Sequence, residues 1–273
     1  MTADLPQRIR LSYSGQTAEL SHDPVTEHGV MLSIGGDEQS HVEVGDPDFL
    51  LHDYIRRMRS VLTARSSGKN DDAPGSALHL GAGALTLPRW MAQWRPGMTH
   101  TVVDIEPELV QFVLQHLPMV PSPENVVADA AAVLSPGGAL AGRRFGTVIV
   151  DLFNSSAAPR TLISAEFFRS VWAAVAPGGL LLVNFGDEED MRFARRLTNT
   201  LLRSVATSPQ GCLLSAPQDV LSRQSEGNLV FAASSREFTQ EELAQIWAAG
   251  PHPAKVLSGE ELELWCAEPD SES

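Results

Sequence analysis

ALHLGAGALTLPRW, residues Ala77–Trp90, is the stretch that decides the fold of this chain. A short apolar run stops at two glycines and continues with helical spacing, which predicts a strand, a tight turn and the start of a helix. Gly81 and Gly83 permit positive φ and let a ligand approach the backbone, and the amides that open the helix favour electronegative groups. This arrangement is typical of nucleotide sites in α/β proteins.

An acidic residue follows at the end of the next predicted strand. Asp104 lies twenty-one positions after Gly83, a spacing at which a carboxylate reaches the glycine turn and accepts the two hydroxyls of a ribose. The third glycine of a dinucleotide fingerprint is absent, because Leu85–Leu87 follow instead. The pattern therefore argues against NAD and for a nucleoside without a pyrophosphate, such as an S-adenosyl sulfonium compound.

Composition excludes several classes of partner. The chain has 273 residues, 43% of them hydrophobic, with a formal net charge of −14. This charge argues against binding to nucleic acid or an anionic membrane. It suits a cationic ligand such as a polyamine, although solubility alone explains it too.

The ends, the apolar runs and the cysteines predict where the protein resides. No run of eighteen apolar residues occurs, and the first residues lack the pattern of a signal peptide, so we expect a cytoplasmic protein. Cys212 and Cys266 have no metal-ligand spacing, and we expect them to be packed as apolar residues. The same reasoning predicts no metal site.

Three segments are predicted. Residues 1–65 form a small N-terminal β-rich domain, with alternating runs between residues 9 and 44 and a helix over 49–62. Residues 66–75 are a polar linker containing glycine and proline. Residues 76–273 form an adenosyl-binding α/β domain, in which strands and helices alternate.

The larger domain is predicted to be a doubly wound, mostly parallel sheet of seven strands, Rossmann-like and of the S-adenosylmethionine-dependent methyltransferase type. Strands are expected at 76–81, 100–105, 125–129, 146–152, 179–185, 211–216 and 228–234. Helices are expected at 87–95, 107–117, 165–176, 188–206 and 239–249. Ligands of such sheets bind at the carboxyl ends of the strands, so the chemistry should be sought there.

Three of those strand ends carry an acid: Asp104, Asp129 and Asp151. A carboxylate just past a buried strand can simply cap the next helix. Asp129 could instead accept from an adenine amino group. Three acids at neighbouring strand ends favour a site.

The chain resembles the spermidine synthase family, and more closely the spermidine-synthase-like proteins, from about residue 35 to residue 235. The similarity rests on the order and spacing of short motifs. These are Gln39 with Asp48–Asp53, Val103–Pro107, Ala128–Ala130, and Asp151–Asn154 followed by Pro159, Leu162 and Glu166–Phe168.

The resemblance implies a transferase that moves an aminopropyl group from decarboxylated S-adenosylmethionine to a diamine or related amine, in polyamine biosynthesis. It implies Asp151 as the base, with His52 and Asp53 on the substrate side. His52 could orient Asp53 or Asp151, or be only a packed or surface residue. The donor would be held by Gln39, Gly81, Gly83, Asp104, Asp129, Ala130 and Asn154. It also implies a homodimer formed through the N-terminal domains.

Three departures from the family pattern leave alternatives open. Ala84 replaces an acid of the glycine turn, Asn154 replaces the second acid of the catalytic loop, and Leu51 replaces a tyrosine. Without the acid at position 84 the chain could use ordinary S-adenosylmethionine as a methyltransferase, or bind a nucleoside without turnover. The acids of Asp187–Asp190 could hold an amine in place of the lost carboxylates, or complement the start of a helix.

Overall fold

The computed structural model describes residues 4–66, 75–153 and 158–267. The chain divides into two compact units, residues 1–52 with 75–132 and residues 53–74 with 133–273. The domain limits inferred from the sequence stay a prediction, because most of the expected linker, 66–75, lies outside the described residues.

The first unit begins with a four-stranded antiparallel sheet, as the sequence predicts. Its strands, in spatial order, are β1 (Gln7–Arg10), β2 (Thr17–His22), β3 (Gly29–Ile34) and β4 (Asp37–Glu43). The register of β3 and β4 shifts once: Leu32 lies opposite Ser40, whereas Ser33 lies opposite Glu38. Gln39 is therefore the extra residue of a β-bulge, a feature that redirects side chains and is frequent near functional sites.

The first unit also contains three parallel strands, β5 (Ser76–Leu80), β6 (Thr99–Asp104) and β7 (Glu124–Val127), in that order. The helices α2 (Thr86–Trp94) and α3 (Leu109–His116) connect them, and α4 (Ala130–Leu134) follows β7. The glycine turn of residues 81–85 joins β5 to α2, as predicted.

The antiparallel sheet and the parallel strands of this unit share one hydrophobic core. The core residues come from the sheet, the glycine turn, β6 and α3, and include Leu20, Leu32, Val42, Ala84, Val102 and Phe112. Each of these side chains is at most 6% exposed. The glycine turn is therefore fixed by packing from the N-terminal sheet.

The second unit consists of a mixed sheet and six helices among its described residues. The sheet contains β8 (Phe145–Val150), β9 (Val175–Asp187), β11 (Gly227–Ser234), β10 (Cys212–Pro217) and β12 (Ala254–Ser258), in that spatial order. β8 and β9 are parallel and the other pairs are antiparallel. The helices are α1 (Asp53–Ser66), α5 (Ala165–Ala173), α6 (Arg192–Ser204), α7 (Gln218–Leu221), α8 (Gln240–Ala249) and α9 (Glu260–Ala267).

The predicted fold class is confirmed: an α/β protein with a mostly parallel sheet and a small N-terminal antiparallel sheet. Each of the seven expected strands is present. The predicted number of strands, seven, was wrong, because β12 is an eighth strand of this sheet in the part of the chain that the structure describes. β12 spans only five residues and begins directly after Pro253, so its pattern is too short to stand out from a loop.

The helix expected from residue 188 begins later, at Arg192. The carboxylate of Asp187 accepts the backbone N–H of Glu188 at 2.9 Å and that of Ala194 at 2.7 Å. It thereby satisfies an amide in the first turn of α6. The acids of residues 187–190 hence lie just before a helix. This is the position expected if they complement the start of a helix, which is one of the two alternatives given above.

Cys212 and Cys266 are buried, and burial raises the pKa of each thiol to about 12. The prediction that they are packed as apolar residues is confirmed. Among the described residues, no helix combines the length and the apolar character needed to cross a bilayer.

A buried carboxylate supports the junction between the N-terminal sheet and β6. Glu106, 7% exposed, accepts the backbone N–H of Tyr13 at 3.2 Å and that of Ser14 at 3.0 Å. Glu108 makes one bond of this kind, from the N–H of Ser12 at 3.1 Å, at a more exposed position.

Glu106→Gln is expected to lower the free energy of unfolding by about 1.5–3 kcal/mol, because an amide offers one acceptor oxygen where two backbone N–H groups bind the charged carboxylate. Glu108→Gln is the matched control, with a loss below about 1 kcal/mol. Urea denaturation of both variants measures the difference. Equal losses would contradict the structural role assigned to Glu106.

Candidate functional site: a glycine turn and a buried carboxylate

The glycine turn has an unusual backbone that is held in place by Asp104. Positive φ angles occur at Gly81 (+99°), Gly83 (+47°) and Leu85 (+61°). The two oxygens of Asp104 accept the backbone N–H of Ala82 at 3.0 Å and that of Glu106 at 2.9 Å. Burial raises the pKa of Asp104, while these hydrogen bonds oppose the increase. Because each carboxylate oxygen has a second lone pair, Asp104 can still accept from a ribose hydroxyl.

The N-terminal sheet covers this turn through Ser40. A Cβ atom built on Gly83 would lie 2.3 Å from Ser40 Oγ, so only glycine fits here. Thr86 donates to the carbonyl oxygen of His41 at 2.8 Å, which links α2 to the same strand. Gln39, the residue predicted to contact the transferred group, is exposed at the β-bulge directly before Ser40. The first unit therefore brings Gln39, Gly83 and Asp104 to one part of its structure.

Asp129 is exposed and caps α4. Its Oδ1 accepts the backbone N–H groups of Ala131 and Ala132, each at 2.9 Å. Capping of the next helix is one of the two roles that the sequence suggested for Asp129. The hydrogen bonds of Oδ1 go to the N–H groups of α4. Ala130 is buried as the first residue of α4. Their role in donor binding stays a prediction.

Asp151, directly after β8, is the centre of a polar network in the second unit. Its Oδ1 accepts from the Asn184 amide at 2.9 Å, and its Oδ2 accepts from the Tyr54 hydroxyl at 3.1 Å. Asn184 in turn accepts from the Asn228 amide at 3.0 Å. We call these four residues the Asp151 network.

Burial sets the electrostatics of the Asp151 network. It raises the pKa of Asp151, and the hydrogen bonds from Asn184 and Tyr54 partly oppose the increase. Burial and the charge of Asp151 raise the pKa of Tyr54 well above its ordinary value, so the phenol stays a donor. A half-buried carboxylate with a raised pKa and neutral hydrogen-bond partners is better suited to take up a proton than an ordinary aspartate.

The other predicted site residues lie near the start of α1 or outside the described residues. Asp53, the first residue of α1, is exposed and pairs with Arg56 one turn along the helix. His52 is half-buried just before α1. Asn154 lies outside the described residues. The substrate role of His52 and Asp53 stays a prediction.

Ala84 does not face an open space. Its side chain is fully buried in the hydrophobic core of the first unit, beside the residues of the N-terminal sheet. A carboxylate at this position would be placed in an apolar environment, with the cost of an unpaired buried charge. An apolar residue at position 84 therefore fits the local packing.

Sequence reasoning missed Ser40, Tyr54, Asn184 and Asn228. The family pattern has its tyrosine at the position of Leu51. Tyr54 stands three residues later, so a residue-by-residue match to the motif does not reveal it. Asn184 carried a signal of its own, since it is a polar residue inside the apolar run Leu180–Phe185. It is fully buried, and a buried amide in a strand needs partners. Ser40 and Asn228 had no distinguishing pattern.

Two curated relatives share part of this sequence. The polyamine aminopropyltransferase of Neisseria meningitidis serogroup A is 26% identical over 184 residues, which are 65% of this chain and 66% of that protein. The N-terminal histidine N-methyltransferase of Emericella nidulans is 25% identical over 146 residues, 53% of this chain but 26% of that protein. This chain thus spans less than two thirds of each. No protein-family model matches it.

Solved structures define the class of fold. A probable spermidine synthase from Corynebacterium glutamicum superposes with a TM-score of 0.83 at 24% identity, covering 97% of this chain and 95% of that one. A spermidine synthase in complex with the transition-state analogue AdoDATO gives 0.58 at 12% identity, over 88% and 75% of the chains. Human methyltransferase-like protein 13, in complex with SAH, gives 0.55 at 17% identity, over 82% and 96%. The protein has a spermidine-synthase-like fold of the methyltransferase type.

Gly83→Ala is expected to destabilise the protein by about 2–5 kcal/mol, the sum of left-handed backbone strain and the overlap with Ser40 Oγ. Adding Ser40→Ala should restore part of this loss, because it removes the overlapping oxygen. Gly97→Ala, at φ +94° with nothing within 4 Å of a Cβ, is the control for strain alone. Chemical denaturation of the two single variants and the double variant gives the coupling free energy between positions 40 and 83. If the losses of stability in the single variants simply add in the double variant, the Ser40–Gly83 contact is contradicted.

Proposed function

We propose that this protein is an aminopropyltransferase of the spermidine synthase type. The observation that carries the proposal is the Asp151 network: a half-buried carboxylate at a strand end, held by Tyr54 and Asn184. The spermidine-synthase-like fold and the aminopropyltransferase relatives support it. We also propose decarboxylated S-adenosylmethionine as the donor and a small diamine or related amine as the acceptor.

The reaction requires that an ammonium lose its proton. Asp151 would take that proton, and the neutral amine would attack the carbon next to the sulfonium of the donor. A C–N bond forms, the C–S bond breaks and its electron pair stays on sulfur, so that methylthioadenosine leaves. A base with a raised pKa suits this step, because it holds the proton more tightly than an ordinary aspartate does.

The glycine turn is proposed to bind the adenosyl part of the donor. Asp104 would accept from the ribose hydroxyls, since it is fixed beside the turn by two backbone amides. Gln39 would contact the aminopropyl tail, for which its place at the β-bulge provides an exposed side chain.

Methyl transfer on the same scaffold is the less favoured function. The sequence suggested it because Ala84 replaces an acid, and the packing of Ala84 into the core gives a structural reason for that residue. The Asp151 network provides a base that deprotonates an ammonium, which aminopropyl transfer requires.

Product analysis separates these functions. The purified protein is incubated with decarboxylated S-adenosylmethionine or with S-adenosylmethionine, each with putrescine, and the nucleoside products are separated by chromatography. We expect methylthioadenosine from the decarboxylated donor. Formation of S-adenosylhomocysteine from the ordinary donor, or no product from either, would contradict the proposal.

Asp151→Asn is expected to lower kcat by about 10²–10⁴-fold, the usual contribution of a general base. Asp187→Asn is the matched control, because Asp187 is also a buried carboxylate with a raised pKa, but caps α6. We expect the control to keep its turnover and lose stability. Initial rates of methylthioadenosine release and thermal unfolding test both statements. Full activity of Asp151→Asn would remove Asp151 as the base.

Tyr54→Phe is expected to move the acid limb of the pH–rate profile to higher pH. The Tyr54 hydroxyl favours the charged form of Asp151, so its removal raises the pKa of Asp151 further. Because the base must be ionised to act, turnover is then lost at a higher pH as the solution is acidified. Tyr13→Phe, at the exposed tyrosine of the first unit, is the control. An unchanged profile in Tyr54→Phe would exclude its coupling to Asp151.

A further inference from the structure

A cavity of about 560 Å³ lies within the first unit, bounded by β3, β4, one face of α2 and the segment after α3. The wall is mostly apolar and includes Val30, Val42, Val44, Leu117, Met119 and Val120. A cavity of this size and composition is typical of a small-molecule site. No function proposed above uses it.

The cavity contains a guanidinium without a carboxylate partner. Arg89 donates to the carbonyl oxygens of Ala84 at 3.3 Å and Pro118 at 2.9 Å, and to that of Leu117. Within the described residues, no carboxylate lies within 4 Å of this group. Burial lowers the pKa of Arg89 to about 10, so the side chain is still a cation at neutral pH. Of its five N–H donors, three are accounted for and two remain.

Three other polar side chains line the wall, and each has a contact of its own. Glu43 Oε1 accepts the backbone N–H of His28 at 3.0 Å, and its Oε2 lies 3.9 Å from His41 Nε2. Gln93 donates to Asp48 at 3.0 Å. His116 packs its ring against Phe112. The wall therefore holds one cation and one anion: Arg89 has two N–H donors left for a ligand, whereas the Glu43 carboxylate accepts from His28 through Oε1 and its buried Oε2 has no hydrogen-bond partner among the described residues.

We propose that this cavity binds an amphipathic small molecule with one anionic group, a carboxylate, attached to an apolar body. The carboxylate would accept from the remaining N–H groups of Arg89, and the apolar body would lie against the valines of β3 and β4. Charge-assisted hydrogen bonds from a partly buried guanidinium fix the head, and apolar burial supplies the remaining affinity. This site is independent of the aminopropyltransferase proposal.

The test is calorimetric titration of the full chain with decanoate, decanol and decylamine, all below their micellar concentrations. These probes share a ten-carbon chain and differ in the charge of the head. We expect one decanoate to bind per chain, with decanol and decylamine at least tenfold weaker. Absence of decanoate binding, or equal or tighter binding of decanol or decylamine, would overturn the proposal.

Two variants locate the binding. Arg89→Met removes the cation but keeps apolar bulk, and it should weaken decanoate about 10- to 100-fold while leaving decanol unaffected. Ala92→Trp fills the cavity from α2 at a half-buried position, and it should abolish binding of every probe. Arg95→Met, further along the chain and outside the cavity wall, is the control and should bind as the unmodified protein does.

Circular dichroism and thermal unfolding confirm that each variant is folded. If Arg89→Met does not fold, Ala92→Trp decides the test, because its substitution is on the helix surface. Decanoate binding that persists in folded Ala92→Trp would place the probe elsewhere and overturn the proposal.

Discussion

The chemistry that this structure supports depends on a half-buried carboxylate with uncharged hydrogen-bond partners. Asp151 is held by neutral donors, the hydroxyl of Tyr54 and the amide of Asn184, so its charge is stabilised without being neutralised by a cation. A salt bridge would lower the pKa of the carboxylate and make it a poor proton acceptor. In Asp151 burial raises the pKa, and the two hydrogen bonds oppose this increase only in part. Burial also raises the pKa of Asp187, but the hydrogen bonds of that carboxylate come from backbone N–H groups at residue 188 and in the first turn of α6, so its role is structural.

The glycine turn depends on a different constraint, which is close packing. Ser40 lies where a side chain at position 83 would be, and the core shared by the N-terminal sheet and α3 encloses Ala84. Asp104 then joins the turn to the residues after β6 through two amides. Because these contacts lie within one unit, the N-terminal sheet is part of the support of the proposed nucleoside site. The same α2 that starts at this turn forms one wall of the cavity at Arg89.

Much of the fold could be predicted from local pattern. The strands β5 to β11 have continuous apolar runs or clear ends, and the glycines at 81 and 83 mark the turn. β12 is five residues long and lacks such a run. The start of α6 depended on the hydrogen bonds of Asp187, which a residue pattern does not reveal. The identity of Asp151 as a candidate base came from its place at a strand end and from the family resemblance.

The partners of Asp151 could not be predicted in this way. Tyr54, Asn184 and Asn228 come from a helix and two strands distant in sequence, and they meet only through the tertiary fold. Ala84 is a position where the sequence alone suggests a chemical reason and the structure offers a packing reason. Its alanine suggested a change of donor, although the structure shows a core position at which a charge would be costly. A residue that departs from a functional motif can therefore reflect local packing and not a change in chemistry.

Titration of the Asp151 carboxyl group by carbon-13 NMR tests the central claim most directly. The signal is assigned by its loss in Asp151→Asn, and it is followed with methylthioadenosine present, before and after putrescine is added. The account predicts a pKa above that of an ordinary aspartate, and a decrease when the diamine is bound, because an ammonium next to the carboxylate favours its charged form. An ordinary pKa that does not respond to the diamine would contradict the assignment of Asp151 as the base.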